Sequence, residues 1–277
     1  MANFWRTVKA SLEMNKKIVF FDIDGTLLDM EVGVPDSARE AIKSLRKNGH
    51  MAFINTGRSR ANITDADIGN IEFDGIVAGC GTYLEYNGKC LYNHILNQEL
   101  VEDTTVLLRD HQMEVILEGP KYLYYYPEDL EHSLNPFKEQ IEQRGGDVWV
   151  SVHEHHGHIV ANKMSIQSPS QEKAEETRKW VPDKYDWIFH EMNFLELVPK
   201  GFNKARGISY ICELFGTDRR DTYAFGDSNN DLDMIKYAGN GVAMGNSTQS
   251  ILQMADYITC NLKDHGIFNG LRHFRLI

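Results

Sequence analysis

A short apolar run that ends in two acids constrains this chain more than any other feature. Ile18-Val19-Phe20-Phe21 leads straight into Asp22-Ile23-Asp24-Gly25-Thr26-Leu27. A continuous apolar run of that length reads as a strand buried on both faces. Side chains two apart on a strand share a face, so Asp22 and Asp24 can project together beyond its end. Gly25 permits a tight turn there. Two carboxylates at such a point repel each other unless a cation or a shared proton intervenes.

Beyond this turn the chain takes up a βα rhythm. Pro35-Asp36-Ser37 is a helix start, and Ala38, Ala41, Ile42 and Leu45 build one apolar face before Asn48-Gly49 closes it. Met51-Ala52-Phe53-Ile54-Asn55 reads as a second buried strand running into Thr56-Gly57-Arg58, and Gly75–Ala78 as a third. Strand, helix, strand is a βαβ unit, which implies a parallel sheet. The rhythm then breaks. Tyr83–Tyr86 and Lys89–Tyr92 flank Asn87-Gly88, a strong hairpin signal.

Residues 85–190 are expected to form an inserted α+β domain. Within it the pattern predicts helices over Gln98–His111, Glu131–Gln143 and Gln171–Trp180, and strands over Met113–Leu117, Tyr122–Tyr126 and Lys163–Gln167. From Phe194 the βα rhythm resumes, with Phe194–Val198 expected as its first strand and Tyr257–Thr259 as its last. The expected organisation is a doubly wound α/β core over 1–84 and 191–277, interrupted by 85–190. Met1–Lys16 is an N-terminal extension with the spacing of a short docking helix, too short and polar to span a membrane.

With 277 residues, the chain can bury one large core or two modest ones. A formal charge of −11 argues against non-specific nucleic-acid binding, which needs a basic footprint. Cys80, Cys90, Cys212 and Cys260 show no CxxC spacing, so neither a zinc site nor a thioredoxin-like motif is expected. Without a secretory signal, reduced thiols in the cytoplasm are the expected state.

In open α/β sheets, ligands bind beyond the carboxyl ends of the strands. Four polar clusters fall at or shortly after expected strand ends: Asp22-x-Asp24, Thr56-Gly57-Arg58, Lys204 at a helix start, and Gly226-Asp227-Ser228-Asn229-Asn230-Asp231. Their chemistry suits phosphoryl transfer. One carboxylate can act as nucleophile, and a second can protonate a leaving alkoxide and then activate water. Magnesium prefers oxygen ligands, which Asp22 and Asp227 can supply. Thr56, Asn230 and the Gly57 amide can donate to phosphate oxygens, and Lys204 adds a positive charge.

These four clusters resemble motifs I to IV of the haloacid dehalogenase-like (HAD) hydrolase superfamily. The tail Gly241-Val242-Ala243-Met244-Gly245-Asn246-Ser247, Ala255-Asp256 and Asp264-His265-Gly266-Ile267 is similar to its Cof-type branch, subfamily IIB. The resemblance implies a Rossmann-like core with a C2B-type cap inserted between motifs II and III. It implies Asp22 as nucleophile and metal ligand, and Asp24 as general acid/base lending its backbone carbonyl to Mg2+. Asp227 becomes the second metal carboxylate, and Asp231 supports the metal shell directly or through water. Thr56, Gly57, Lys204 and Asn230 hold the phosphate. The implied activity is a magnesium-dependent phosphomonoester hydrolase acting on small phosphorylated metabolites, sugar phosphates among them. A phosphomutase with the same core and a regulatory phosphometabolite-binding protein are the alternatives. Two positions depart from the pattern: Ala205 follows the lysine where glycine is usual, and Cys80-Gly81 stands where Asn-Gly is frequent.

Other polar features read more plainly. Lys200, beside Gly201, suggests a surface turn rather than the phosphate lysine, and Arg58 suggests a carboxylate partner. The histidines from His153 to His158 are expected to be solvated, and Tyr122–Tyr126 to pack on helices of the inserted domain.

Overall fold

The computed structural model describes residues 16–132, 148–155 and 157–277. The chain divides into two units. The first holds the described residues through Gly57, with Asp65–Leu91 and Asn203–Ile277; the second holds Arg58–Thr64 and Tyr92–Phe202.

The first unit opens with β1 (Ile18–Phe21), all four of whose side chains are fully buried. Helix α1 (Asp36–Lys47) starts after Pro35 and buries Ala38, Ala41, Ile42 and Leu45, as the spacing predicts. Strands β2 (Met51–Asn55) and β3 (Gly75–Ala78) come next, then the hairpin of β4 (Tyr83–Tyr86) and β5 (Lys89–Asn93). Asn87 and Gly88 both take positive φ, 47° and 70°, the conformation that fits a two-residue turn to the twist of its strands.

The second unit contains α2 (Gln98–Asp110), β6 (Glu114–Glu118), β7 (Leu123–Tyr125), β8 (Trp149–Ser151), β9 (Lys163–Gln167), α3 (Gln171–Arg178), β10 (Tyr185–Phe189) and β11 (Phe194–Pro199). Both helices are capped by side chains, Asn97 accepting from the Leu100 amide and Ser170 from the Lys173 amide. The strands form one sheet in the order β10-β11-β9-β6-β7-β8, antiparallel except for β7 and β8. One face carries Val115, Leu117, Met164, Ile166, Leu195 and Leu197 into a core shared with the helices. The other buries Lys163 between Glu118 and Glu196, at 3.4 and 2.8 Å.

Three expectations need correction. Strands β8 and β10 have no counterpart in the sequence reading. Phe194–Pro199 does not resume the parallel sheet; it pairs antiparallel with β9 and β10. Its alternation explains the placement, because Leu195 and Leu197 face an apolar core while Glu196 faces Lys163. The helix expected over Glu131–Gln143 is replaced at Glu131 and His132 by a 3-10 turn, Pro127–His132, and its remainder lies outside the described residues. The N-terminal extension Met1–Lys16 falls outside them too, apart from Lys16.

The chain returns to the first unit with α4 (Lys204–Phe215), β12 (Thr222–Gly226), α5 (Leu232–Tyr237), β13 (Asn240–Ala243), α6 (Gln249–Met254), β14 (Tyr257–Ile258) and α7 (Gly266–His273). Helix α7, unforeseen in the sequence, packs against α1. The sheet order is β14-β13-β12-β1-β2-β3-β4-β5, parallel as far as β3. This is the expected doubly wound α/β core, with a mixed edge. β1 lies between β2 and β12, with Phe21 opposite both Ile54 and Phe225. That register brings Asp22, Asn55–Gly57 and Gly226-Asp227 to one edge of the sheet. Among the described residues, no helix is long and apolar enough to cross a membrane.

Candidate active site

Asp22 extends β1, anchored by its amide to the Phe225 carbonyl at 3.1 Å, and is buried. Asp24, two residues on, is exposed. The pair that shares a strand end therefore divides into an inner and an outer carboxylate. Between Asp24 and Thr26 the chain turns at Gly25, with φ +79°. A Cβ there would also meet Asp227 Oδ2 at 2.3 Å, so close approach of the two loops requires glycine.

Lys204, the first residue of α4, is buried. Its Nζ lies 2.9 Å from Asp22 Oδ1, 2.5 Å from Asp231 Oδ1 and 3.2 Å from Asn230 Oδ1. Lys200 is elsewhere, half-exposed and paired with Asp183 in the second unit. Asp231, fully buried, accepts from the Asp227 and Ser228 amides through Oδ2, at 2.9 and 3.1 Å. It thereby shapes the loop after β12. Asn230 Oδ1 accepts from Lys204 and from Ser228 Oγ, which leaves the Asn230 amide nitrogen as the donor.

One carboxylate oxygen each from Asp22, Asp227 and Asp231 lies within 4.8 Å of the others. Burial raises the Asp22 pKa well above the ordinary carboxylate range, and Asp231 adds to the rise, against the pull of Lys204. Burial and then Asp231 push Asp227 up to about 7. Lys204 loses solvation by burial, yet Asp22 and Asp231 outweigh that loss and hold it protonated. One ammonium among three clustered carboxylates leaves negative charge uncompensated, and the donor set is all oxygen. Both facts fit a hard divalent cation such as magnesium. Asp231 belongs to this oxygen cluster while its two oxygens also hold Lys204 and the Asp227 and Ser228 amides.

Thr56 and Gly57 continue from β2 and are buried beside this edge; Thr56 donates its amide to the Val77 carbonyl at 2.9 Å. Residues that the sequence reading did not single out also shape the site. Thr26 Oγ1 donates to Asp227 Oδ1 at 2.7 Å. Asn246 donates to the Gly25 carbonyl at 2.8 Å and accepts from the Leu262 amide at 2.9 Å. The only signal for either in the sequence is its place inside a motif.

The histidine run makes no converging site among the described residues. His153 pairs with Glu128 at 2.9 Å, His155 packs edge-on to Tyr124, and His158 meets Gln98 at 3.1 Å; His156 lies outside the described residues. Tyr124 is buried in the apolar core of its unit, as expected for a strand packed on helices. Arg58 Nη1 donates to the Asn62 carbonyl at 3.4 Å.

The raised carboxylates predict a titration. In the unfolded chain Asp227 ionises near pH 4; in the folded chain it does so near 7. Between those values the folded state binds more protons, so stability falls as pH rises. Without metal, the melting temperature is expected to drop across pH 4 to 7, by the equivalent of a few kcal/mol at about 1.4 kcal/mol per pKa unit. Added magnesium should reverse the drop at pH 7. Melts that are flat with pH in EDTA and unmoved by magnesium would contradict this charge balance.

A parallel sheet with acids at the ends of β1 and β12, and a lysine opening α4, defines a hydrolase of the phosphoryl-transfer type. A family profile described as haloacid dehalogenase-like hydrolase matches residues 19–271. The chain belongs to that family, in its Cof-type branch, and is an enzyme of the HAD phosphatase class. It is 28% identical to a Bacillus subtilis protein named "Putative phosphatase YkrA", over 95% of this chain and 100% of the relative. A second Bacillus subtilis protein, 5-amino-6-(5-phospho-D-ribitylamino)uracil phosphatase YitU, is 24% identical over 95% of this chain and 99% of its own. The solved structure of the HAD subclass IIB sugar phosphatase BT4131 superposes with a TM-score of 0.80 at 26% identity, covering 95% of this chain and all of that one.

Proposed function

We propose that the protein is a cytoplasmic, magnesium-dependent phosphomonoester hydrolase that works through an aspartyl-phosphate on Asp22. The observation that carries this reading is the buried Lys204 ammonium shared between Asp22 and Asp231. It favours the ionised form of Asp22, which a nucleophile needs, and supplies positive charge where a phosphate would bind.

Asp22 attacks phosphorus, and the bond to the ester oxygen breaks. Asp24, exposed at the turn, gives its proton to the departing alkoxide. It then takes a proton from water, whose oxygen attacks phosphorus and frees the Asp22 carboxylate. Thr56, Gly57, Lys204 and the Asn230 amide hold the phosphate oxygens. Asp22, Asp227 and the Asp24 carbonyl would hold magnesium, with Asp231 fixing the loop behind Asp227. When bound, the ion neutralises carboxylate and phosphate charge at the reacting centre. The second unit, built mainly from Tyr92–Phe202, is proposed to act as the cap that selects the alcohol.

Small phosphorylated sugars and polyols are the proposed substrates. The names of the similar sugar phosphatase and of the ribitylaminouracil phosphatase support this class.

The test is phosphate release over a panel of sugar and polyol phosphates, with magnesium or with EDTA. Magnesium-dependent release from a subset of the panel is expected. Asp24→Asn should keep the first transfer with a good leaving group and slow its hydrolysis by roughly a hundredfold or more, so that acid-quenched phosphoprotein accumulates. No release from any ester, or phosphoprotein decay at the wild-type rate in that variant, would refute the assignment.

A further inference from the structure

We propose that Asn55 is a positioning residue that holds Lys204 in place; the role rests on the phosphatase reading above. Asn55 ends β2 and is fully buried, after four apolar residues, Met51-Ala52-Phe53-Ile54. Its Nδ2 donates to the Lys204 main-chain carbonyl at 3.0 Å and lies 3.5 Å from Met234 Sδ. Its Oδ1 is buried and makes no hydrogen bond among the described residues.

That half-satisfied amide is not explained by stability. A buried acceptor without a donor is destabilising, and an apolar side chain of similar size would remove the cost. The Lys204 carbonyl does not depend on Asn55 either. It belongs to the first residue of α4, and such a carbonyl accepts from the amide four residues on. The Asn55 bond is a second one to the same oxygen.

What the bond does is join two phosphate-binding stretches 149 residues apart in the chain. Asn55 is followed directly by Thr56 and Gly57, and it grips the backbone of Lys204. The strand end is rigid, since β2 is paired on both sides, to β1 and β3. The first turn of α4 is thereby pinned at the residue whose Nζ must sit 2.9 Å from Asp22 Oδ1. Without the tether, the helix end can shift along the sheet edge and carry the ammonium away from the phosphate oxygens. The asparagine thus trades stability for placement.

The test compares Asn55→Val and Asn55→Ala with wild type, using orthovanadate as the oxyanion probe in the presence of magnesium. Calorimetry should find orthovanadate binding weakened about tenfold in both variants, a loss typical of residues that orient a ligand-binding group. Magnesium affinity measured without oxyanion should change less than orthovanadate affinity, because Asp22 and Asp227 would hold the ion through their own carboxylates and Asn55 reaches them only through Lys204. Asn55→Val should melt at or above the wild-type temperature. Should valine prove too bulky to fold, the smaller alanine decides the binding question. Orthovanadate affinity unchanged in Asn55→Ala, or a joint loss of magnesium affinity, orthovanadate affinity and thermal stability, would overturn the role. Wild-type protein that neither binds orthovanadate nor releases phosphate would overturn the phosphatase reading, and this role with it.

Discussion

Asp22→Asn is expected to release phosphate at least roughly ten-thousand-fold more slowly than wild type, yet to melt at the same or a higher temperature. The two halves of that result have one cause. Asp22 is buried against Asp231 and Asp227, and its raised pKa reports that the folded protein disfavours its charge. Asparagine has nearly the same shape and no charge, so the repulsion disappears while the packing stays. The same neutral amide cannot serve as the proposed nucleophile. Rapid-quench assays on the best ester of the panel, with thermal melts in EDTA, read both quantities. Turnover within about tenfold of wild type, or a melting temperature several degrees lower, would be incompatible with this site.

Lys204→Met is expected to fail differently, losing at least roughly a thousandfold in kcat/KM and also destabilising the metal-free protein at neutral pH. Lys204 is the cation that bridges Asp22, Asp231 and Asn230 from a buried position. Methionine fills the space and leaves the carboxylates facing one another. Asp22 must then take up a proton to remain buried, and so loses the ionised form that the proposed mechanism needs. Removing one partner of a buried pair typically costs about 3–5 kcal/mol. Lowering the pH should restore part of the stability, and magnesium should restore another part, without restoring turnover. Lys204→Arg should not rescue activity, since a fully buried point charge has no room for a guanidinium fork. A methionine variant as stable as wild type at pH 7.5 in EDTA would contradict the electrostatic account.

The acids are legible in the sequence because strands announce themselves locally. Ile18–Phe21 and Thr222–Gly226 are short apolar runs, and polar residues clustered just past them can only lie at a sheet edge. Lys204 is legible through its place at a helix start. The less visible residues depend on partners far away in the chain. Thr26 reads as a turn residue until Asp227 is beside it. Asn246 reads as loop until the Gly25 carbonyl is found on its amide. Asn55 reads as the polar end of a strand, and nothing local shows that it reaches Lys204. In the inserted segment the signals are weaker still. Tyr185–Phe189 has an alternation too short to stand out, and Phe194–Pro199 is apolar enough to pass for a strand of either sheet. Its antiparallel pairing with β9 and β10, which sets Glu196 against Lys163, decides between them.

The register of β1 between β2 and β12 also sets an order of events at birth. Ile18 pairs with Met51 on one side but with Thr222 on the other. A ribosome must therefore add some two hundred residues after β1 before its second neighbour exists. Until then an apolar strand presents an unfilled edge, which is a template for pairing with other chains. The long closure also makes the surroundings of Asp22 among the last parts of the molecule to assemble. Nascent chains stalled before Thr222 should bind general chaperones and resist none of the proteases that the finished protein survives. Release past Gly226 and its following helices should end both behaviours together.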